Sequence, residues 1–213
     1  MKAIEWYKVG WQVFAANPLK TILGCVVVLG VIVVQSFFLP LIWNALGLND
    51  PISLTILFVV SFSIGASVGV GLSLFFLRIV RGERPSPLDV FNGFSFYLNA
   101  TIAGFIAILL GIVGYVLFII PGVIISIIFS MWAFGVGDKR LSAIESLKFS
   151  VRITRGRRMD LFLGGLIFVL LCGLASIPFG LGLIVVAPWG LATFSIAYED
   201  LAGGSVAQSA IVE

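Results

Sequence analysis

The side chains with reactive or binding chemistry cluster beside apolar stretches. Asp138, Lys139, Arg140, Arg152, Arg155, Arg157 and Arg158 form an acidic and basic set, with Glu199 and Asp200 further along the chain. Arg152, Arg155, Arg157 and Arg158 next to an apolar run can hold an anionic lipid headgroup, at about 1 kcal/mol per charge. A membrane-orientation signal alone would account for the same arginines. Glu199 and Asp200 can pair with the cluster across its rim, where exposed pairs contribute only about 0–1 kcal/mol. Catalysis finds less support. The chain has no His, which removes the commonest general base and transition-metal ligand. It also lacks a phosphate-cradling glycine loop, a serine elbow and any metal-spaced cluster of Cys or carboxylates. No catalytic residue, metal site or cofactor is expected. Cys25 and Cys172 fall in apolar runs and read as small buried hydrophobes.

Two further sets lie inside the apolar runs. In Gly65-Ala66-Ser67-Val68-Gly69-Val70-Gly71, Gly65 and Gly69 stand four residues apart, and with Gly71 they let another helix approach closely. That neighbour can be another part of this chain or a partner. Gln35, Asn44, Ser126, Ser130 and Pro188-Trp189 are polar or helix-breaking positions at membrane depth. Pro188 and Trp189 are the candidates for a kink or cavity, although neighbouring helices can also satisfy a proline kink.

The elements carrying these residues follow from the charge pattern. All thirteen Lys and Arg lie in three stretches, Lys2 to Lys20, Arg78 to Arg84 and Lys139 to Arg158, and the chain is 60% hydrophobic and 11% charged. Charge-free runs cover Thr21 to Asn49, Pro51 to Leu77, Val90 to Gly137 and Leu161 to Tyr198. A span needs about 20 apolar residues, so the first two runs hold one helix each. The other two hold hairpins, turning at Pro121-Gly122 and Pro178-Phe179-Gly180. The expectation is an all-α polytopic membrane protein with six spans near 19–43, 53–78, 97–119, 122–138, 160–177 and 182–200. Charged residues fall only at the ends of the predicted spans, at Lys20, Arg78, Asp138, Asp160, Glu199 and Asp200, and none in their interiors, which argues against proton-coupled transport. The helices after Pro121 and Asp160 are near the minimum spanning length of about 17 residues, so one hairpin can instead be re-entrant. The positive-inside rule places both termini and the basic loops in the cytoplasm. Residues 1–201 form one membrane domain, followed by a short tail, 202–213. Glu5, Lys8 and Gln12 interrupt the first twenty residues, so no signal peptide is expected. The net charge of +3 comes from loops at an anionic leaflet and points to membrane lipids, not nucleic acid.

A repeat underlies the spans. Ala3-Ile4-Glu5-x-x-Lys8 recurs as Ala143-Ile144-Glu145-x-x-Lys148, and at the same shift Gly24 meets Gly164. Glu145, Lys148, Arg152 and Arg155 lie opposite Leu141, Ile144, Leu147, Val151 and Thr154, an amphipathic pattern. In the first copy Glu5, Lys8 and Gln12 oppose Ile4, Trp11 and Phe14. Trp6 and Tyr7 are expected to anchor at the interface, and Asn17-Pro18 to open the first span. A more degenerate copy begins at Pro87. The architecture is therefore three units, each an in-plane elbow (about 2–16, 86–94 and 140–155) followed by a helical hairpin.

The order Arg-Gly-Glu-Arg-Pro-Ser-Pro-Leu-Asp-Val-Phe-Asn-Gly-Phe (81–94), Ile-Pro-Gly-Val (120–123), Leu-Ser-Ala-Ile-Glu-Ser-Leu-Lys (141–148) and Pro-Trp-Gly-Leu-Ala…Tyr-Glu-Asp-Leu (188–201) resembles a bacterial group of six-helix membrane proteins of unknown function. The group includes the YciC-like proteins and the membrane domain of some glycerophosphodiester phosphodiesterases. The resemblance implies a fold and a bacterial cytoplasmic (inner) membrane. It carries no catalytic residues, and the chain has no phosphodiesterase domain.

Two functions fit these features. One is a non-enzymatic accessory, assembly or regulatory component that packs against lipid and against another integral membrane protein or a second copy of itself. The other is a transporter or export/immunity-type protein for an apolar or amphipathic compound. The latter calls for a cavity among spans two, four and six, lined by Ser67, Ser130 and Trp189.

Overall fold

The computed structural model describes residues 2–48, 50–177 and 180–203. It is 85% helix, without strands among the described residues. In chain order the helices are α1 (Lys2–Ala16), α2 (Pro18–Val33), a π-helical segment (Val34–Phe38), α3 (Leu39–Ala45), α4 (Pro51–Val80), a 3-10 segment (Pro87–Phe96), α5 (Tyr97–Leu117), α6 (Ile119–Ile128), α7 (Trp132–Gly137), α8 (Ala143–Ile153), α9 (Arg158–Ser176) and α10 (Leu183–Ala202). Five helical stretches are long and apolar enough to cross a membrane: Pro18–Ala45, Pro51–Val80, Pro87–Leu117, Ile119–Gly137 and Arg158–Ser176. Helix α10, where the sixth span is expected, is of similar length but less apolar, because it ends in Tyr198-Glu199-Asp200 and carries Pro188-Trp189-Gly190 midway.

The repeat is visible in three dimensions, and in all three units. The helices opening the hairpins begin at Pro18, Tyr97 and Arg158. Counted from those starts, the buried positions coincide: Phe14, Thr21 and Gly24 match Gly93, Ala100 and Ala103, and Thr154, Leu161 and Gly164. The first and third elbows agree over their length, with Ala3, Trp6, Tyr7, Val9 and Gly10 buried in one and Ala143, Ser146, Leu147, Phe149 and Ser150 in the other. The units close into a ring. Each elbow packs on the preceding unit's hairpin: the 3-10 segment on α4 and α2, α8 on α7 and α5, and α1 on the last hairpin through α10 and α9.

Small residues make each crossing possible. A Cβ on Gly71 would lie 1.7 Å from the Val90 carbonyl oxygen, and one on Gly93 would lie 2.0 Å from that of Ser67. At the other two crossings, a Cβ on Gly10 would meet Thr193 Oγ1 at 2.2 Å and one on Gly135 would meet Ser146 Cβ at 3.1 Å. Close backbone approach between small residues stabilises helix pairs where lipid removes the hydrophobic drive.

This ring changes the expected place of two of the elbows' aromatic residues. Trp6 and Tyr7 are buried in the protein core, not anchored at an interface. Trp6 Nε1 donates to Asp200 and Tyr7 Oη to the Gly164 carbonyl. Ile4, Trp11 and Ile144, assigned to the apolar face, are the exposed residues. The reason is geometric: each elbow packs one face, Ala3, Trp6, Tyr7, Val9 and Gly10 in α1 and Ala143, Ser146, Leu147, Phe149 and Ser150 in α8, against the neighbouring hairpin, and leaves Ile4, Trp11 and Ile144 on its outer side.

Several local expectations also shift. Asn17 makes no capping hydrogen bond; Thr21 Oγ1 instead donates to the Asn17 and Pro18 carbonyls. The hairpin after α5 turns at extended Phe118, and Pro121 falls in the first turn of α6, where proline is tolerated. Of the second breaker, Pro178 and Phe179 lie outside the described residues, as does the tail from residue 204 onward. The expected helix 122–138 is interrupted between α6 and α7. Ser150 repairs the gap, donating to the Ile128 carbonyl at 2.7 Å and accepting from the Met131 N–H at 3.1 Å. At membrane depth, freed backbone groups need such a partner.

The core is concentrated in one half, and away from it the buried positions of α5, α6 and α9 are Gly114, Gly122 and Ala175 among the described residues. From the elbows it reaches only part-way along the hairpins. Helix α2 has no buried residue beyond Gly24, α4 none before Ser63 and α10 none before Pro188 among the described residues. At the elbow end the hairpins are drawn together, and toward the other end they separate.

Candidate functional site

The drawn-together end is held by charge. Arg81 follows the last residue of α4, Asp138 follows α7, and Glu199 lies in the last turn of α10. Each thus comes from the closing helix of a different unit. Arg81 Nε donates to Glu199 Oε1 at 2.6 Å and Arg81 Nη1 to Asp138 Oδ1 at 2.6 Å. Tyr198 Oη donates to Asp138 Oδ2 at 2.7 Å, and Lys139 Nζ lies 3.3 Å from the same oxygen. A cation suits a helix C-terminus and an anion does not, so Arg81 offsets the two carboxylates that end α7 and α10. Hydrogen bonding to Asp138 raises the Arg81 pKa. Burial pushes the Asp138 carboxyl up, but its bonds from Arg81 and Tyr198 outweigh this and hold it below the usual range.

A second set adjoins the first through Asp200. Its Oδ2 accepts from Trp6 Nε1 at 3.1 Å and Arg157 Nη2 at 2.9 Å, and its Oδ1 lies 3.5 Å from Lys2 Nζ. Arg157 Nε also donates to Asp160 at 2.9 Å, while its guanidinium sits 5.6 Å from the centre of the Trp6 ring. Burial lowers the Arg157 pKa, but its bonds to Asp160 and Asp200 more than compensate. These pairs are not the exposed rim contacts expected from sequence. The side chains of Asp138, Glu199 and Asp200 are only 10%, 5% and 7% exposed. The chemistry is that of a clamp: each carboxylate is bound to a cation, and none is left free to act as a base. Among the described residues no three His, Cys, Asp or Glu are grouped to hold a metal ion.

The four arginines expected to share a headgroup have different surroundings. Arg157 is committed to Asp160 and Asp200. Arg152 lies 5.7 Å over the Phe149 ring. Arg155 and Arg158 are exposed and form no ion pair among the described residues. Arg158 borders an apolar cleft of about 660 Å³ between α6 and α9.

The small-residue face divides as well. Gly71 is filled by the 3-10 segment, whereas a Cβ on Gly69 would meet nothing within 4 Å and one on Gly65 only Gln35 Nε2 at 4.0 Å. Gly65 opens into a groove of about 620 Å³ between α4, α5 and α6, which Gly104, Gly111 and Ser130 also line.

Trp189 packs edge-on to Tyr7 and Trp11, and its Nε1 donates to the Tyr7 carbonyl at 3.0 Å. Pro188 is buried inside α10. Ser67 is buried and bonded to the Ser63 carbonyl. Ser130 borders two grooves, on either side of α6, and neither is lined by Ser67 or Trp189. The three residues proposed to line one cavity are therefore apart. Gln35 donates to the Ser61 carbonyl, tying the π-helical segment to α4. Ser126 lies between the Gly122 carbonyl and Tyr115 Oη.

Sequence reasoning missed Arg81 as the clamp's centre. The available signal was positional, since Arg81, Asp138 and Glu199 each stand at the end of the second helix of a unit. Comparison of the chain with family models, with curated proteins and with solved structures gives no match.

Proposed function

We propose that this chain is a non-enzymatic protein of the bacterial cytoplasmic membrane, with six spans and both termini in the cytoplasm. It acts as an accessory, assembly or regulatory component by packing against lipid and another integral membrane protein, or a second copy of itself. The observation carrying this reading is the divided glycine face: Gly71 is filled from within the chain, while a Cβ on Gly69 would meet nothing within 4 Å and Gly65 opens into a groove that Ala66, Gly104, Ala107 and Gly111 share with larger apolar residues. In a bilayer such a face suits a helix from outside. The uneven core gives further support, because the separated halves of the hairpins offer lateral surface while the charged end fixes their spacing. The basic stretches support the cytoplasmic assignment, and the YciC-like motifs support the bacterial one.

The test is association. Gly65→Leu with Gly69→Leu is expected to release the partner while leaving a folded, monodisperse chain, since a Cβ at either position meets no atom closer than 4.0 Å. Undiminished association would refute the reading. The alternative, transport of an apolar or amphipathic compound, draws on the grooves flanking α6, where the Tyr115, Ser126 and Ser130 hydroxyls border apolar walls. That alternative predicts saturable binding of such a compound, abolished when Ser130 is replaced by Phe.

A further inference from the structure

The cleft between α6 and α9 has a composition unlike the other two grooves. Its α6 wall is Ile120, Val123, Ile124 and Ile127 with Ile119, an aliphatic face recurring at three and four residues; Phe162 and Met159 of α9 close the other side. Among the described residues no hydroxyl-bearing or acidic residue lines it, and the charged one that does is Arg158. Arg158 begins α9 at the basic end and has no carboxylate partner among the described residues, although Arg157 beside it has two. An aliphatic trough bordered by a cation that is unpaired among the described residues complements an amphiphile with a hydrocarbon chain and an anionic head. Its volume of about 660 Å³ lies in the range of roughly 300–1,000 Å³ usual for small-molecule sites.

We infer that the α6–α9 cleft binds an anionic phospholipid of the surrounding bilayer, with an acyl chain along the Ile120–Ile127 face and the headgroup phosphate on Arg158. This deepens the lipid half of the proposed function and names its site. Arg155, exposed three residues earlier and also unpaired among the described residues, adds attraction for the same headgroup. The site would also give α6 a lateral neighbour: this helix is well packed against α5, with Gly122 against Tyr115, but meets α9 only sparsely.

The test uses the intact chain in mild detergent, titrated separately with phosphatidylglycerol and phosphatidylcholine of identical acyl chains, with bound lipid counted by native mass spectrometry. Phosphatidylglycerol should bind more tightly. Arg158→Gln should weaken it about fivefold, the equivalent of one surface charge, without changing phosphatidylcholine. Ile124→Trp, which fills the trough without altering charge, should weaken both lipids. Equal affinity for the two lipids would overturn the inference, as would an Arg158→Gln effect no larger than that of Arg84→Gln on a different loop. Partner association in the same variants separates the two claims. Lipid selectivity that is absent while Gly65→Leu with Gly69→Leu still releases a partner sinks only the lipid site. The converse result sinks only the partner reading.

Discussion

Replacing Arg81 by Gln should unlock the three hairpins at their charged end. The substitution removes two charge-assisted bonds of 2.6 Å, leaving Glu199, 5% exposed, without its cation and Asp138, 10% exposed, with Lys139 and Tyr198 alone. Removing one partner of a buried ion pair costs about 3–5 kcal/mol, because the remaining charge stays desolvated. Arg81 itself is 32% exposed, which permits some water to enter and places the expected loss near the lower end, about 3 kcal/mol. For a chain of this size that corresponds to roughly 6–12 °C in melting temperature. The assay is thermal unfolding in mild detergent followed by tryptophan fluorescence, with Arg84→Gln as the exposed control, expected within about 0.5 kcal/mol of the parent. Because Arg81 and Glu199 share a bond, Arg81→Gln and Glu199→Gln should be non-additive by about 1–3 kcal/mol. Arg81→Met combined with Asp138→Asn and Glu199→Gln should recover most of the loss, since a neutral set leaves no buried charge unpaired. An Arg81→Gln protein melting within about 2 °C of the Arg84→Gln control, with effects additive to Glu199→Gln, would refute the clamp.

Gly71→Ala should destabilise by about 1–3 kcal/mol or fail to fold, because its Cβ would overlap the Val90 carbonyl, while Gly69→Ala should be neutral in the same denaturation assay. Ser150→Ala should cost about 1–3 kcal/mol by leaving the Ile128 carbonyl and Met131 N–H unpaired, with amide exchange accelerated at Met131. Acid should weaken the clamp. The Asp138 carboxyl is held below its ordinary value of 3.8 in the fold, so its contribution is complete above that value and is lost as pH falls through the lower folded one. Melting temperature should therefore fall below about pH 4, and less steeply for Asp138→Asn than for the parent.

The sequence made the repeat legible where its residues were similar. Ala3-Ile4-Glu5 and Ala143-Ile144-Glu145 occupy matching places in the ring, and the helix starts at Pro18 and Arg158 stand in the same register. The clamp was not legible, because its three members differ in type and a repeat search compares like with like. Only the meeting of the three helix ends gives Arg81, Asp138 and Glu199 a common role. The elbows misled for a related reason. Amphipathic periodicity assumes one apolar environment, yet α1 and α8 have a mixed protein face, in which Val9 and Leu147 stand among Ala, Ser, Gly and aromatic residues, and a separate outer face that carries Ile4, Trp11 and Ile144. The break between α6 and α7 was hidden because its repair comes from Ser150, nineteen residues beyond Met131. For the glycine run, spacing alone could not separate an internal contact from an outward one. The difference rests on Val90 and Gly93 reaching Gly71 and stopping short of Gly69.

The most direct measurement is native mass spectrometry of the protein extracted from its own host in mild detergent. The account predicts a stoichiometric membrane-protein partner or a second copy of the chain, lost on Gly65→Leu with Gly69→Leu. A lone chain carrying only a bound small molecule, unchanged by those substitutions, would contradict it.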